Sequence, residues 1–179
     1  MNWYRLSNKG TYNIGPYHNL ILLGCGEAGG CVYLDPATGH AVKQTKSKSE
    51  VARAKDLMGK DFVFFPHIYN VQPFENTWLI EREEIPSMPE ETLNVLDTAQ
   101  MALEEVDYDE DLFPEQLKKT MLQFGMDPET EFMYTYSMGR KLLDLIHSVE
   151  KMGGLPGEIR GENIGIRSGG QFVVRDADV

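Results

Sequence analysis

Residues 23–33 read L-G-C-G-E-A-G-G-C-V-Y, and A-V-K follows at residues 41–43. The apolar run at 20–23 predicts a β-strand that enters this stretch, and residues 32–34 predict the strand that returns from it. Between them and A-V-K, the segment D-P-A-T-G at 35–39 predicts a turn, because proline presets φ and glycine accepts positive φ. The following strand then carries Lys43.

The glycines of this stretch are spaced as in G-x-G-x-x-G, at Gly24, Gly26 and Gly29. Glycine lets backbone N–H groups approach phosphate oxygens closely, because it has no Cβ. A lysine on a neighbouring strand can place a positive charge on the same phosphates. The order of strand, glycine-rich loop, strand, turn and lysine therefore predicts a phosphate site. The alternative is a glycine-rich hairpin that only makes a tight turn.

A second group of motifs lies at the far end of the chain. Residues 155–164 read L-P-G-E-I-R-G-E-N-I, and residues 172–179 read F-V-V-R-D-A-D-V. These motifs, in this order after the glycine-rich stretch, resemble those of the protein kinase-like superfamily. The resemblance runs from about residue 20 to the last residue, and it is greatest to short, divergent Ser/Thr kinase-like proteins encoded by phages.

The resemblance implies an α+β fold in two parts. Residues 1–86 would form a kinase-like N-lobe, a five-stranded antiparallel sheet with one helix. Residues 87–179 would form a truncated, mainly helical C-lobe that ends at the metal-binding aspartate motif. The helix of the N-lobe is predicted at 46–59, with Ser47 or Ser49 as its cap and Gly59 at its end.

The same resemblance implies ATP and Mg²⁺ as cofactors and gives a role to each matching residue. The glycines would cover the phosphates, and Lys43 would bind them. Glu50 would pair with Lys43, although Asp56 is a second candidate and a glutamate in a first helical turn also favours the helix dipole. The backbone at Glu81 and Glu83 would meet the adenine edge.

The catalytic and metal positions come from the second group of motifs. Glu158 stands in the catalytic aspartate position and would orient or deprotonate the acceptor hydroxyl. Arg160 would stabilise charge on the transferred group. Asn163 and Asp176, thirteen positions apart, would hold Mg²⁺.

Departures from the family pattern leave three functions open. Pro156 and Gly157 replace the histidine and arginine of H-R-D, and Ala177 and Asp178 replace the phenylalanine and glycine of D-F-G after Asp176. Glu158 is one methylene longer than aspartate, and a misplacement of about 1 Å can cost on the order of 100-fold in rate. The chain is therefore predicted to be a phosphotransferase acting on a host or partner protein, a catalytically inactive pseudokinase that serves as a binding module, or an acidic inhibitor of a basic or nucleic-acid-binding partner.

Composition sets the remaining expectations. The net charge of −11 disfavours direct binding to nucleic acid. Thirteen acidic residues and one basic residue lie between positions 81 and 115, which is typical of a solvated surface or of a docking surface for a basic partner. Cys25 and Cys31 are expected as reduced thiols, with a bridge as the alternative. The sequence predicts no membrane segment and a cytoplasmic location, in the host cytoplasm if a phage encodes the chain.

Overall fold

The computed structural model describes residues 10–26, 30–153 and 159–175, except for the side chain of Glu162. The chain divides into two compact units between Ile85 and Pro86, and Arg175 groups with the first unit. This division lies one residue from the predicted boundary between 86 and 87. Within the described residues, no helix is both long enough and apolar enough to span a membrane.

The first unit contains an antiparallel sheet and one helix. Its elements are β1 (Thr11–Ile14), β2 (Tyr17–Cys25), β3 (Cys31–Leu34), β4 (Ala41–Thr45), α1 (Lys48–Leu57), β5 (Ile68–Phe74) and β6 (Thr77–Arg82). The strand order across the sheet is β1-β2-β3-β4-β6-β5. The predicted turn at 35–39 is confirmed: the Gly39 N–H donates to the Asp35 carbonyl over 2.8 Å, and Gly39 has φ +75°.

Helix α1 begins and ends close to where the sequence predicts. The Ser47 side chain accepts a hydrogen bond from the Glu50 N–H, which satisfies one of the free donors of the first turn. The face that α1 buries carries Glu50, Val51, Ala54 and Leu57, a spacing of three and four residues. Glutamate is the one charged member of this otherwise apolar face.

The predicted fold class is wrong in its sheet, which has six strands and curls, where a kinase N-lobe has five. The additional strand is β1, which pairs with β2 through Tyr12 opposite Leu20 and Ile14 opposite Tyr17. This pairing forms because it buries Ile14 in an apolar cluster with residues of four other strands. The members of that cluster are Ile14, Leu20, Tyr33, Val42 and Leu79.

The curl of the sheet is seen at Gly15, in the turn between β1 and β2. A Cβ built on Gly15 would lie 3.1 Å from Leu79 and 3.2 Å from Phe74, which belong to β6 and β5. The hairpin at one edge of the sheet therefore packs on strands at the other edge. The apolar run at 61–65, which Pro66 ends, indicates a strand, but residues 63–65 form a turn and a bend.

The second unit contains three helices, a 3₁₀ turn and a hairpin. Its elements are α2 (Glu90–Glu105), α3 (Phe113–Gln123), α4 (Pro128–Lys151), the 3₁₀ turn Gly161–Asn163, β7 (Ile164–Arg167) and β8 (Gln171–Val174). The sequence predicts helices at 90–106 and 113–124, in agreement with α2 and α3. The sequence also predicts a helix at 138–154. Helix α4 begins ten residues before that start, because Asp127 caps it and Pro128 suits its first turn.

Helices α2, α3 and α4 pack together around Phe113, Leu117 and Met121, which are fully buried. Gly139 allows α4 to approach this cluster, since a Cβ there would lie 2.3 Å from the Phe113 ring. The β7–β8 hairpin joins the same unit through Lys141, whose ammonium donates to the Gly170 carbonyl over 3.1 Å.

Candidate functional site

Lys43 lies in the middle of β4, opposite Val32 of β3 and Ile80 of β6. Successive side chains of a strand point to opposite faces, so Lys43 faces the side of the sheet that α1 covers. There its ammonium forms an ion pair with the carboxylate of Glu50. The structure thus joins two residues that the sequence predicts as partners.

Both members of this pair are shielded from water. The side chain of Lys43 is 10% exposed and that of Glu50 is 3% exposed. Ser47 caps α1 three residues before Glu50 and so places Glu50 in the first turn of the helix, from which its carboxylate reaches Lys43. Asp56, the other candidate partner, is exposed and on a different face of α1.

The glycine-rich stretch forms the end of the β2–β3 hairpin next to Lys43. Gly24 pairs with Val32, and the Gly26 N–H donates to the Gly30 carbonyl over 2.8 Å. A Cβ on Gly30 would lie 3.3 Å from the Gln44 carbonyl and 3.7 Å from Cε of Lys43. A Cβ at residue 30 would therefore be tight against the Gln44 carbonyl and in ordinary contact with the Lys43 side chain. Gly29 lies outside the described residues.

Cys25 and Cys31 form a disulfide at the base of this hairpin end. The two residues are cross-strand neighbours with their Cα atoms 4.0 Å apart. The expectation of two reduced thiols is therefore wrong. Linear spacing leaves both states open, whereas the β2–β3 register brings the two sulfur atoms together.

Glu81 lies in β6 opposite Val42, so its side chain points away from Lys43 and α1. One carboxylate oxygen accepts a hydrogen bond from the Tyr17 hydroxyl at 2.9 Å, and the other lies 2.7 Å from Nδ1 of His40. Burial and the adjacent Glu81 carboxylate raise the pKa of Tyr17 to about 12. Glu81 of β6 thus connects Tyr17 of β2 with His40, the residue before β4, on the face away from α1.

This Tyr17–His40–Glu81 network is absent from the sequence prediction. Its members are 23 and 41 positions apart, and no spacing rule connects them. The His40 ring also stacks on Tyr69 with 3.9 Å between ring centroids. One signal in the sequence is the alternation of side chains along β6, which places Glu81 and Ile80 on opposite faces of the sheet.

Glu83 is engaged with the chain just before β5. Its N–H donates to the His67 carbonyl over 2.8 Å, and its carboxylate accepts from the His67 N–H over 3.2 Å. The Glu83 N–H, predicted to meet an adenine edge, therefore already has a backbone acceptor. Ile80, which pairs with Lys43 in the strand register, is buried on the same face as Lys43.

Of the four catalytic and metal residues predicted from the second group of motifs, the structure describes two. Glu158 and Asp176 lie outside the described residues. Arg160 is exposed and precedes the 3₁₀ turn, and Asn163 is the last residue of that turn, with its N–H donating to the Arg160 carbonyl. Over the described ranges, no three His, Cys, Asp or Glu side chains are grouped as metal ligands.

The acidic segment 104–111 connects α2 and α3. Asp109 accepts hydrogen bonds from the Asp111 and Leu112 N–H groups, at 2.8 and 3.3 Å. Glu110 forms an ion pair with Arg140 of α4. These carboxylates hold a turn and a helix in place, which accounts for part of the acidic run by structure alone.

The comparisons with known proteins supply no family. No protein-family model matches the chain, and no curated protein matches it.

Proposed function

We propose that the first unit binds the phosphates of a nucleoside triphosphate, ATP with Mg²⁺, at the glycine-rich hairpin end and Lys43. The observation that supports this most is the buried Lys43–Glu50 ion pair beside Gly30. The proposal extends to phosphotransfer onto a protein hydroxyl, the activity that the resemblance to protein kinases implies, with a binding module lacking transfer as the alternative. A cytoplasmic location is part of the proposal.

A buried ion pair calls for a functional explanation. Desolvating two charges costs several kcal/mol per ion, and apolar residues of similar volume often stabilise such a site equally well. A lysine that binds phosphate must stay charged and must keep one orientation. Glu50 meets both requirements, because its carboxylate holds the ammonium against the sheet in a fixed position.

The residues present fit the phosphate part of this ligand. Gly30 leaves the space that a Cβ would fill, next to the Lys43 side chain. ATP would supply the transferable phosphoryl group when bound, and Lys43 would neutralise charge on its phosphate oxygens. Asn163 and Asp176 are proposed for Mg²⁺. Glu158 is proposed to orient the acceptor hydroxyl, and Arg160 to stabilise developing charge.

Calorimetric titration of ATP into the whole protein, with and without Mg²⁺, tests the proposal. We expect Mg²⁺-dependent binding that Lys43→Met abolishes. Lys46→Met is the matched control, since it removes the same charge from an exposed position three residues away. Asp176→Asn should weaken the Mg²⁺-dependent part alone.

A folded Lys43→Met/Glu50→Leu variant keeps the test decisive if Lys43→Met alone unfolds. Absence of ATP binding at millimolar concentration in the wild-type protein would refute the proposal. Binding that is equal in Lys43→Met and Lys46→Met would refute the site. If binding is observed, transfer of labelled phosphate from ATP to protein distinguishes an enzyme from a binding module.

A further inference from the structure

We propose that the Cys25–Cys31 disulfide regulates how tightly the protein binds phosphate beside Gly30 and Lys43, so that the oxidised protein binds nucleotide more tightly than the reduced one. This inference rests on the proposed function. The chain has two cysteines, and both are in this bond. Any response of the protein to thiol reagents therefore originates beside Lys43.

The disulfide closes a short run of pairing between β2 and β3. The register of the two strands shifts between Leu22 and Gly24. Beyond this irregularity the strands keep two residue pairs, Gly24 with Val32 and Cys25 with Cys31. So short a run of pairing is weak by itself, and the covalent bond closes it at its last pair.

The disulfide is coupled to the lysine through adjacent residues. Cys31 pairs with Gln44 in β4, and Val32 pairs with Lys43. Gly30, bonded directly to Cys31, lies against both the Gln44 carbonyl and the Lys43 side chain. Fixing Cys31 therefore fixes the main chain at Gly30 relative to the ammonium, and a preorganised site binds more tightly than one that must be ordered by its ligand.

The switch needs a dithiol or a pair of monothiols as reductant. A thiolate of the reductant attacks one sulfur of the Cys25–Cys31 bond, which forms a mixed disulfide and releases the other cysteine as a thiolate. A second reductant thiolate then attacks the mixed disulfide and releases the remaining cysteine. The protein gains two electrons and two protons and becomes a dithiol, while the reductant becomes a disulfide. In a reducing compartment, disulfides are mostly transient and serve sensing, in keeping with a regulatory role.

Calorimetric titration of Mg-ATP into oxidised and reduced protein tests the inference. A thiol-reactive dye first establishes the redox state of each sample. We expect no reactive thiol in denatured oxidised protein, two per chain after reduction, and a rise in Kd of about tenfold on reduction. Reoxidation should restore the original Kd, which excludes irreversible unfolding as the cause.

The Cys25→Ser/Cys31→Ser variant is the matched control. It should bind like the reduced protein and be insensitive to reductant. Equal Kd values for oxidised and reduced protein would overturn the inference and leave the proposed function standing. Two reactive thiols after treatment with a disulfide oxidant would also overturn it. Absence of binding in both states would refute the proposed function, and this inference with it.

Discussion

Lys43 and Glu50 are 8% and 3% exposed, and each is the counterion of the other. Removing one member leaves the remaining charge buried, which typically costs about 3–5 kcal/mol. We therefore expect Lys43→Met to lower the free energy of unfolding by about 3 kcal/mol, and Lys43→Met/Glu50→Leu to recover most of this loss. Urea denaturation of the three proteins measures both values.

Lys46→Met provides the reference for this pair, because surface substitutions usually change stability by about 0.5 kcal/mol or less. A Lys43→Met protein as stable as Lys46→Met would show that the pair is hydrated in solution. A double variant less stable than the single one would show that Glu50 has other essential partners.

Tyr17 makes the free energy of unfolding of the first unit depend on pH in the alkaline range. Its pKa is about 12 in the folded protein, against 10.0 for a free tyrosine, with burial as the largest cause and Glu81 next. The unfolded chain loses this proton first, so unfolding releases protons between these two values and the free energy of unfolding falls as pH rises from about 10 to about 12.

Tyr17→Phe removes this contribution. We expect the difference in unfolding free energy between wild type and Tyr17→Phe to shift in favour of the variant as pH rises through that window. Urea titrations at pH 9, about 10.5 and about 12 measure it. A difference independent of pH would mean that the Tyr17 hydroxyl titrates normally in the fold.

At the scale of elements, α4 owes its close packing to Gly139. Alanine at this position gains up to about 1 kcal/mol of helix propensity over glycine. Against this gain, its Cβ would lie 2.3 Å from Cζ of Phe113, a fully buried ring stacked on Tyr136. Overpacking of a filled core costs about 1–3 kcal/mol, so we expect Gly139→Ala to be destabilising on balance.

Thermal unfolding of Gly139→Ala and of Gly139→Ala/Phe113→Leu tests this account of α4. The second change should recover part of the loss, because it removes the atoms that clash. Ser137→Ala, at an exposed position on the same helix, should be neutral or slightly stabilising. A Gly139→Ala protein more stable than wild type would mean that Phe113 moves aside freely.

For the whole molecule, the two compact units allow a test of where nucleotide acts. A ligand at 100 times its Kd stabilises the unit that binds it by about 2.7 kcal/mol. We expect Mg-ATP to slow amide exchange in β3, β4 and α1, and to leave α3 unchanged. Equal slowing in α3 would show that nucleotide stabilises both units together.

Tryptophan fluorescence gives an independent measurement of the same effect. Trp78 lies in β6 of the first unit, under the Lys55 ammonium, and no tryptophan occurs between residues 86 and 174. The urea concentration at the midpoint of the fluorescence transition should rise when Mg-ATP is present, and Lys43→Met should abolish that rise.

Local structure was predictable from the sequence because its causes lie within a few residues. The turn at 35–39 follows from proline and glycine, and the start of α1 follows from the serine cap. The order of glycine-rich hairpin, turn and the strand that carries Lys43 likewise follows from residues close together in the chain. The Lys43–Glu50 pair was proposed from the resemblance to protein kinases, with Asp56 as the second candidate, and the structure selects Glu50.

Tertiary structure alone decided how distant strands meet. The sixth strand, the curl that brings Gly15 against Leu79, and the partners of Glu81 all depend on strand register. Register is chosen by the apolar area that the whole sheet buries, a sum over residues far apart in the chain. The sequence thus determined the turn at 35–39, the capped start of α1 and the helices α2 and α3, whereas the oxidised Cys25–Cys31 pair and the Glu81 network arose only when burial selected one pairing of the strands.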